Sequence, residues 1–293
     1  MMLVGVGETK NEQDIIEPWV RHHLKLLDRI IVVDDSIDET GDILRKLADE
    51  FGGRIIVERQ VGFGDHQARR TTELLRRAQG ADFVFPLDAD EFVGATDRAS
   101  LEALLQQVPP GSAGLMQWRT FVVTSDTLDA CAQDAPRGFG WRRAVEMPPH
   151  SKVVVRTAGC DLNDFTLWVG NHNVDSTRGR IKPVELDVPL LHFPVRSREQ
   201  MLGKAVVRWV ACLAANRYVR DSGTSWHVQR NFDELVTGKE MNVCEMSLLY
   251  AQTGRPKLVQ EVPMIEYERK YSNGRAMAAV PLIAKSWEHS LTS

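Results

Sequence analysis

An α/β chain built on a mostly parallel, Rossmann-like sheet flanked by helices is what three observations predict. Short apolar runs of strand type alternate with amphipathic helical runs over the first 92 residues. Two of those runs, Arg29-Ile30-Ile31-Val32-Val33 and Phe83-Val84-Phe85-Pro86-Leu87, read as strands buried on both faces. Both end in carboxylates, at Asp34-Asp35 and at Asp88-Ala89-Asp90-Glu91, and in an open α/β sheet ligands bind at that carboxyl edge.

Taken in order, Leu3 to Val6 makes the first strand, and Gly7-Glu8-Thr9-Lys10-Asn11-Glu12 follows it. Asp14 to Leu27 places Ile15, Ile16, Trp19, Val20, Leu24 and Leu27 at helical spacing, with Pro18 in the first turns. After the second strand, 36–41 is a turn with Thr40 in the N-cap position, and a helix runs from Asp42 to Phe51. Gly52-Gly53 breaks it before a third strand over Arg54 to Glu58. Gly62-Phe63-Gly64-Asp65 is a loop, and His66 to Ala78 is a helix stopped by Gly80. Ser100 to Val108 is a further short helix, closed by Pro109-Pro110-Gly111.

Beyond that point the alternation ends. Gly114 to Thr124, Lys152 to Arg156, Leu167 to Val174 and Val188 to Phe193 read as strands, and Thr127 to Gly140 as a polar loop. Ser197 to Tyr218 is a long helix with Leu202, Ala205, Val206, Trp209, Val210 and Leu213 on its apolar side. Ser197 caps it, and Gln200 three residues on completes a capping box. The remainder is mixed and reads as mainly helical, with loops near Gly238 and Gly254-Arg255-Pro256. The expected organisation is a catalytic domain over 1–196 and a mainly helical extension over 197–293 packed on it.

The net charge of -4 gives no electrostatic case for a nucleic-acid partner. Arginines do cluster at Arg69, Arg70, Arg76 and Arg77, and again at Arg137, Arg142 and Arg143, which suits an anionic small-molecule substrate. Cys131, Cys160, Cys212 and Cys244 lie far apart without metal-type spacing and read as reduced thiols of a cytoplasmic protein. The start of the chain lacks the basic region of a signal peptide, and no run approaches the roughly 18 apolar residues of a membrane span. The apolar side of the long helix suits core packing or a homodimer.

Two neighbouring strands tipped with acids suggest a nucleotide and a metal side by side. Paired carboxylates one residue apart suit a hard divalent cation, which takes oxygen ligands and keeps positions for substrate phosphates. Asp34 or Asp35 can accept hydrogen bonds from a base or ribose, or cap the next helix; Asp88 and Asp90 can hold ribose and metal. No Gly-x-Gly-x-x-Gly follows the first strand, so a dinucleotide site is not indicated.

Lys10-Asn11-Glu12, Val-Val-Asp-Asp-Ser-Ile-Asp-Glu-Thr at 32–40, Ala68-Arg69-Arg70 and Leu-Asp-Ala-Asp-Glu-Phe at 87–92 together resemble the pattern of glycosyltransferase family 2 on a GT-A fold. Leu191-His192-Phe193-Pro194-Val195-Arg196-Ser197, with Glu199-Gln200 and Lys204, is similar to its subgroup 4 and to the glycosyltransferase family 92 branch. The resemblance implies a metal-dependent, inverting transfer of a sugar from a nucleotide-diphosphate sugar to a hydroxyl acceptor, using Mn²⁺ or Mg²⁺. It implies that Lys10, Asn11, Glu12 and Asp34 or Asp35 contact the nucleotide, that Arg69 lies near its base or diphosphate, and that Asp88 approaches the ribose. Asp90, with Asp88, would bind the metal, and Glu91 would either support them or serve packing.

In such folds a further metal ligand is often a late histidine; His192 is the first choice and His172 the second. The family's Glu-Asp base motif has no clean copy, and Asp164 is the candidate base, with Asp161 and Glu146 behind it. Trp118, Trp141 and Trp168 suit either stacking on an acceptor sugar or core packing. Two other readings stand beside this one. A nucleotidyltransferase would carry a Gly-rich, basic signature after the first strand, where this chain has Gly-Glu-Thr-Lys-Asn-Glu. A nucleotide-sugar-binding module that has lost catalysis would fit the missing base motif.

Overall fold

The computed structural model describes residues 1–60, 67–214 and 242–278. The expected α/β fold is present. Its first half is β1 (Leu3–Thr9), α1 (Ile16–Leu26), β2 (Arg29–Asp34), α2 (Thr40–Phe51), β3 (Ile55–Arg59), α3 (Gln67–Arg77) and β4 (Phe83–Pro86). Then come β5 (Glu91–Val93), α4 (Arg98–Leu105), β6 (Ala113–Thr120), α5 (Leu128–Gln133), β7 (Trp141–Arg143) and β8 (Ser151–Arg156). The last described elements are β9 (Phe165–Leu167), β10 (Val174–Ser176), β11 (Val184–Glu185), β12 (Leu190–His192), α6 (Arg198–Ala214), α7 (Val243–Leu249) and β13 (Leu258–Gln260).

Among the described residues these strands make a nine-stranded sheet in the order β3-β2-β1-β4-β8-β6-β12-β5, with β11 paired to β6. The β3-β2-β1-β4 half is parallel, and β8 and β5 run antiparallel to their neighbours. Each buried strand serves two cores because successive side chains point to opposite faces. Leu3, Ile30, Val32, Phe83 and Phe85 pack with Trp19, Ile43, Leu44 and Leu47 of α1 and α2. Val4, Val6, Ile31, Val33 and Val84 pack instead with Leu74 and Leu75 of α3, and with Phe165 and Val174 of the β9–β10 hairpin.

The two acid-tipped strands are not the expected neighbours, because β1 lies between β2 and β4, and its register with both lines up their ends. Thr9 lies opposite Asp34, and Val6 opposite Pro86. Gly7 allows the last step: a Cβ there would come within 2.6 Å of the Leu87 carbonyl oxygen.

Four segments differ from expectation, the first being 242–278, which is mostly irregular rather than helical, with α7 and β13 as its regular elements. Leu167 to Val174 is no single strand but the turn of the β9–β10 hairpin, because Gly170 (φ 75°) and Asn171 (φ 54°) reverse the chain. The Thr127 to Gly140 stretch contains α5, whose Cys131 is buried. Helix α4 starts at Arg98 rather than Ser100, since the Asp97 carboxylate accepts from the Ser100 amide at 2.8 Å and caps it. The loop at 62–65, the end of the long helix at 215–218 and the loop near Gly238 lie outside the described residues.

The described part of the extension is fastened to the body. β13 pairs with β7, and the buried Glu17 carboxylate of α1 accepts the backbone amides of Lys270, Tyr271 and Ser272 at 2.8–2.9 Å. Among the described residues no helix is long and apolar enough to cross a membrane.

Candidate active site at the carboxyl edge of the sheet

The loops after β1 and β2 are stitched to each other. Asn11 adopts φ 58°, a left-handed conformation that Asn tolerates, and its amide donates to Ser36 Oγ at 2.8 Å. Its side-chain oxygen accepts from the Ile37 amide at 2.9 Å. The Glu12 amide donates to Thr40 Oγ1 at 2.8 Å, so Thr40 braces this loop instead of capping α2. Asn11 thus shapes the loop that presents Lys10 and Glu12.

Asp34 and Asp35 are both buried and both paired. Asp34 accepts from Arg59 at 2.6 Å and from the Ser36 amide at 3.1 Å. Asp35 receives Lys10 at 3.0 Å and stands 3.7 Å from Arg70, which also binds Glu8. Arg69 does not join them. It is exposed, 4.0 Å from Glu73, whereas Arg70 is buried. Adjacent helical residues diverge by about 100°, and Arg70 shares its face with the buried Leu74 four residues on. That spacing was the available signal for Arg70.

At the end of β4 the three acids separate. Asp88 meets the Lys152 ammonium of β8 at 2.5 Å, and Glu91 meets the same group at 3.0 Å. Glu91 also accepts from the Asp88 amide at 3.0 Å and from Trp118 Nε1 at 2.8 Å. Burial pushes the Glu91 carboxyl up to about 8 despite Lys152. Burial opposes the charge on Lys152, but Asp88 and Glu91 outweigh it and raise its pKa.

Asp90 is held differently. Among the described residues its carboxylate accepts no hydrogen bond, and its ion pair is to Lys204 of α6 at 3.6 Å. Burial works against its charge, yet the Lys204, Arg196 and Lys152 cations hold its pKa below the usual value. The β12–β5 pairing sets His192 opposite Glu91, and the Phe193 amide donates to the Asp90 carbonyl at 2.8 Å. The His192 ring stacks on Trp118 with centroids 3.9 Å apart, and burial pushes its pKa down to about 3. A neutral imidazole is the form that binds metals.

Behind Asp90 lies a buried arginine. Arg196 donates to Asp14 at 2.6 and 3.1 Å, to the Phe193 carbonyl at 3.0 Å, and to Glu12. Burial pushes Glu12 up to about 7 against the pull of Arg196 and Lys204. Lys10, Glu12, Asp34, Asp35, Asp88, Asp90 and His192 therefore gather along one edge. His172 borders it from the β9–β10 turn, with Nδ1 bound to the Ser151 carbonyl at 2.7 Å and its ring 5.5 Å from Trp118. Sequence reasoning assigned no role to Lys152, Arg70, Arg196 or Lys204. Lys152 opens a buried strand, a place where lysine needs a paired acid, and that was the readable sign.

Other expected residues lie apart from this cluster. Asp164 binds Thr177 Oγ1 at 2.6 Å and pairs with Arg178, beside the β9–β10 hairpin. Asp161 caps the turn before it by accepting from the Asn163 amide at 3.0 Å. Glu146 accepts from the Thr120 amide, Arg143 and Gln252 at 2.8–3.0 Å. Trp141 donates to Asp126, and the half-exposed Trp168 to Asp175; only Trp118 of the three tryptophans enters the cluster. Arg137, Arg142 and Arg143 fasten the extension, on the Tyr267 carbonyl, Glu261 and the Ser247 carbonyl.

Among the described residues, no three His, Cys, Asp or Glu side chains are grouped to hold an ion by themselves. Asp88 is engaged by Lys152, which leaves Asp90 beside a neutral His192. That donor pair fits a hard divalent ion that takes one or two protein ligands and fills its shell with phosphate oxygens and water.

No curated protein matches the chain. Among solved structures, the chain is similar to S. aureus TarS 1-349 at 16% identity, over 80% of this chain and 71% of that one, with a TM-score of 0.42. A mannosyltransferase, PcManGT from Pyrobaculum calidifontis in complex with GDP-Man and Mn²⁺, matches at 15% identity over 80% and 69%, TM-score 0.41. GalNAc-T7 with UDP, GalNAc and Mn²⁺ matches at 12% identity over 80% and 54%, TM-score 0.43. Residues 8–121, which run from the end of β1 through β6 and hold both acid-tipped strands, match the family described as Glycosyl transferase family 2.

Proposed function

We propose that the protein is a glycosyltransferase of GT-A type, which moves a sugar from a nucleotide-diphosphate sugar to a hydroxyl acceptor with inversion. The observation that carries this is Asp90, a buried carboxylate with no hydrogen bond among the described residues, on the same strand-end edge as Glu12, Asp34 and Asp35. The family match over residues 8–121 supports the same reading.

In this reading the nucleoside lies over the stitched loops after β1 and β2, near Lys10, Asn11, Glu12, Asp34 and Asp35, and Asp88 faces the ribose. Asp90 and His192 would hold Mn²⁺ or Mg²⁺, which when bound supplies Lewis-acid neutralisation of the leaving diphosphate. His172 stands as a reserve ligand from the β9–β10 turn. The chain's own contribution is charge and shape. Lys152 and Arg196 keep neighbouring acids neutralised in close pairs, whereas the Asp90 carboxylate has, among the described residues, the longer 3.6 Å pair to Lys204 and keeps its oxygens for the ligand. The acceptor proton requires a base within hydrogen-bond reach. Asp164 is proposed for that role, on the condition that Thr177 and Arg178 release it. The catalytic domain is proposed to span 1–196, with 197–293 as its extension, in a cytoplasmic protein that pairs as a homodimer.

The test is a thermal-shift panel of UDP-, GDP-, dTDP- and CMP-sugars with and without Mn²⁺, followed by assay of sugar release to water. A ligand that binds only the folded state raises the melting temperature. One donor is expected to raise it further with Mn²⁺ and to be turned over slowly. No shift with any donor would refute the proposal; binding without turnover would favour the lapsed binding module.

A further inference from the structure

We infer that Lys204 is a diphosphate-binding residue, which rests on Asp90 in the free protein and turns to the donor's phosphates when the site is loaded. This inference depends on the glycosyltransferase reading above. Most cations along the edge are committed. Lys152 is fully buried between Asp88 and Glu91, and Arg196 is fully buried on Asp14 and Glu12. Arg70 is 3% exposed on Glu8, and Arg59 is bonded to Asp34 at 2.6 Å.

Lys204 differs. Its side chain is 30% exposed, and its contact to Asp90 is 3.6 Å long, an ion pair without a hydrogen bond. An ammonium carries three N–H donors, and among the described residues none of the three finds an acceptor. Helix α6 holds the base of this side chain in place, because Met201, Ala205 and Val206 are buried. The ammonium therefore stands beside the carboxylate that would hold the metal, within reach of a diphosphate that the metal would bring.

The placement has a consequence that simple structural support would lack. A cation on Asp90 repels a divalent ion approaching the same carboxylate, yet attracts the diphosphate that arrives with it. Removing the charge should move the two affinities in opposite directions.

The experiment is calorimetric titration of the full chain with Mn²⁺ alone, and with inorganic pyrophosphate at saturating Mn²⁺. Lys204→Met is expected to bind Mn²⁺ roughly fivefold tighter, from lost repulsion. It is expected to bind pyrophosphate roughly tenfold weaker, from lost charge-assisted hydrogen bonds. Lys204→Arg, which keeps the charge, should stay near wild type in both. Pyrophosphate binding unchanged in Lys204→Met, or both affinities falling together, would overturn the inference while leaving the function proposal intact. A wild-type chain that fails to bind pyrophosphate with Mn²⁺ would overturn both.

Discussion

Lys152 Nζ stands 2.5 Å from an Asp88 oxygen and 3.0 Å from Glu91, with no exposure of the lysine side chain to solvent. Removing one partner of a buried pair leaves uncompensated charge, which is costlier than the pair itself. Lys152→Met is expected to lower unfolding stability by about 3 kcal/mol, measured by urea denaturation. Adding Glu91→Gln should recover part of that loss, since it removes the acid left without a partner. Two losses that simply add would show that the groups do not act as a unit.

Arg69 and Arg70 are neighbours in sequence with opposite surroundings. Arg69→Ala should leave stability within roughly 0.5 kcal/mol of wild type, as expected of an exposed side chain. Arg70→Ala leaves Asp35 and Glu8 short of a cation and should cost about 2 kcal/mol or more. Thermal denaturation of the two variants checks this, and equal effects would contradict the assignment of Arg70 to the interior.

Acid should loosen the strand that carries Glu91. The His22 ring nitrogen donates to the Val93 carbonyl at 2.8 Å, and the Val93 amide donates to His23 Nε2 at 3.2 Å. Burial lowers the His22 pKa to about 4 and that of His23 well below its usual value. The folded chain then binds fewer protons than the unfolded chain between pH about 4 and 6.5. This contribution is complete above pH 6.5 and is lost as pH falls toward 4, by about 3 kcal/mol for His22. Urea midpoints measured from pH 7 to 4.5 should fall, and His22→Phe should flatten the slope. An equal slope in that variant would contradict the assignment.

Asp164→Asn tests the base. Removing a general base costs about 10²–10⁴ in rate, so turnover should drop by at least a hundredfold with nucleoside diphosphate affinity unchanged. Turnover at the wild-type level would return Asp164 to the hairpin fastening it performs with Thr177 and Arg178.

Much of the parallel half was legible because its strands are buried on both faces, and continuous apolar runs such as Ile30 to Val33 announce that environment. The carboxylates at their tips were legible for the same reason, as abrupt changes of polarity. What escaped depends on side-chain direction and long-range pairing. Arg69 and Arg70 differ only in helical phase. Lys152 and Arg196 meet their acids across 64 and 182 residues of chain, separations that no local pattern encodes. The β9–β10 turn rests on Gly170 and Asn171 taking positive φ within an otherwise strand-like run. Glu91 was left between support and packing, and its bonds to Lys152, Trp118 and the Asp88 amide assign it to support.

The account turns on Asp90. Calorimetric titration of the wild-type chain and of Asp90→Asn with UDP and with GDP, each with Mn²⁺ and with EDTA, addresses it directly. Wild type should bind one of the two nucleotides with Mn²⁺ and lose most of that affinity in EDTA. Asp90→Asn should bind weakly and to the same extent in both conditions. Metal-dependent binding that survives unchanged in Asp90→Asn would contradict the placement of the donor diphosphate at the end of β4.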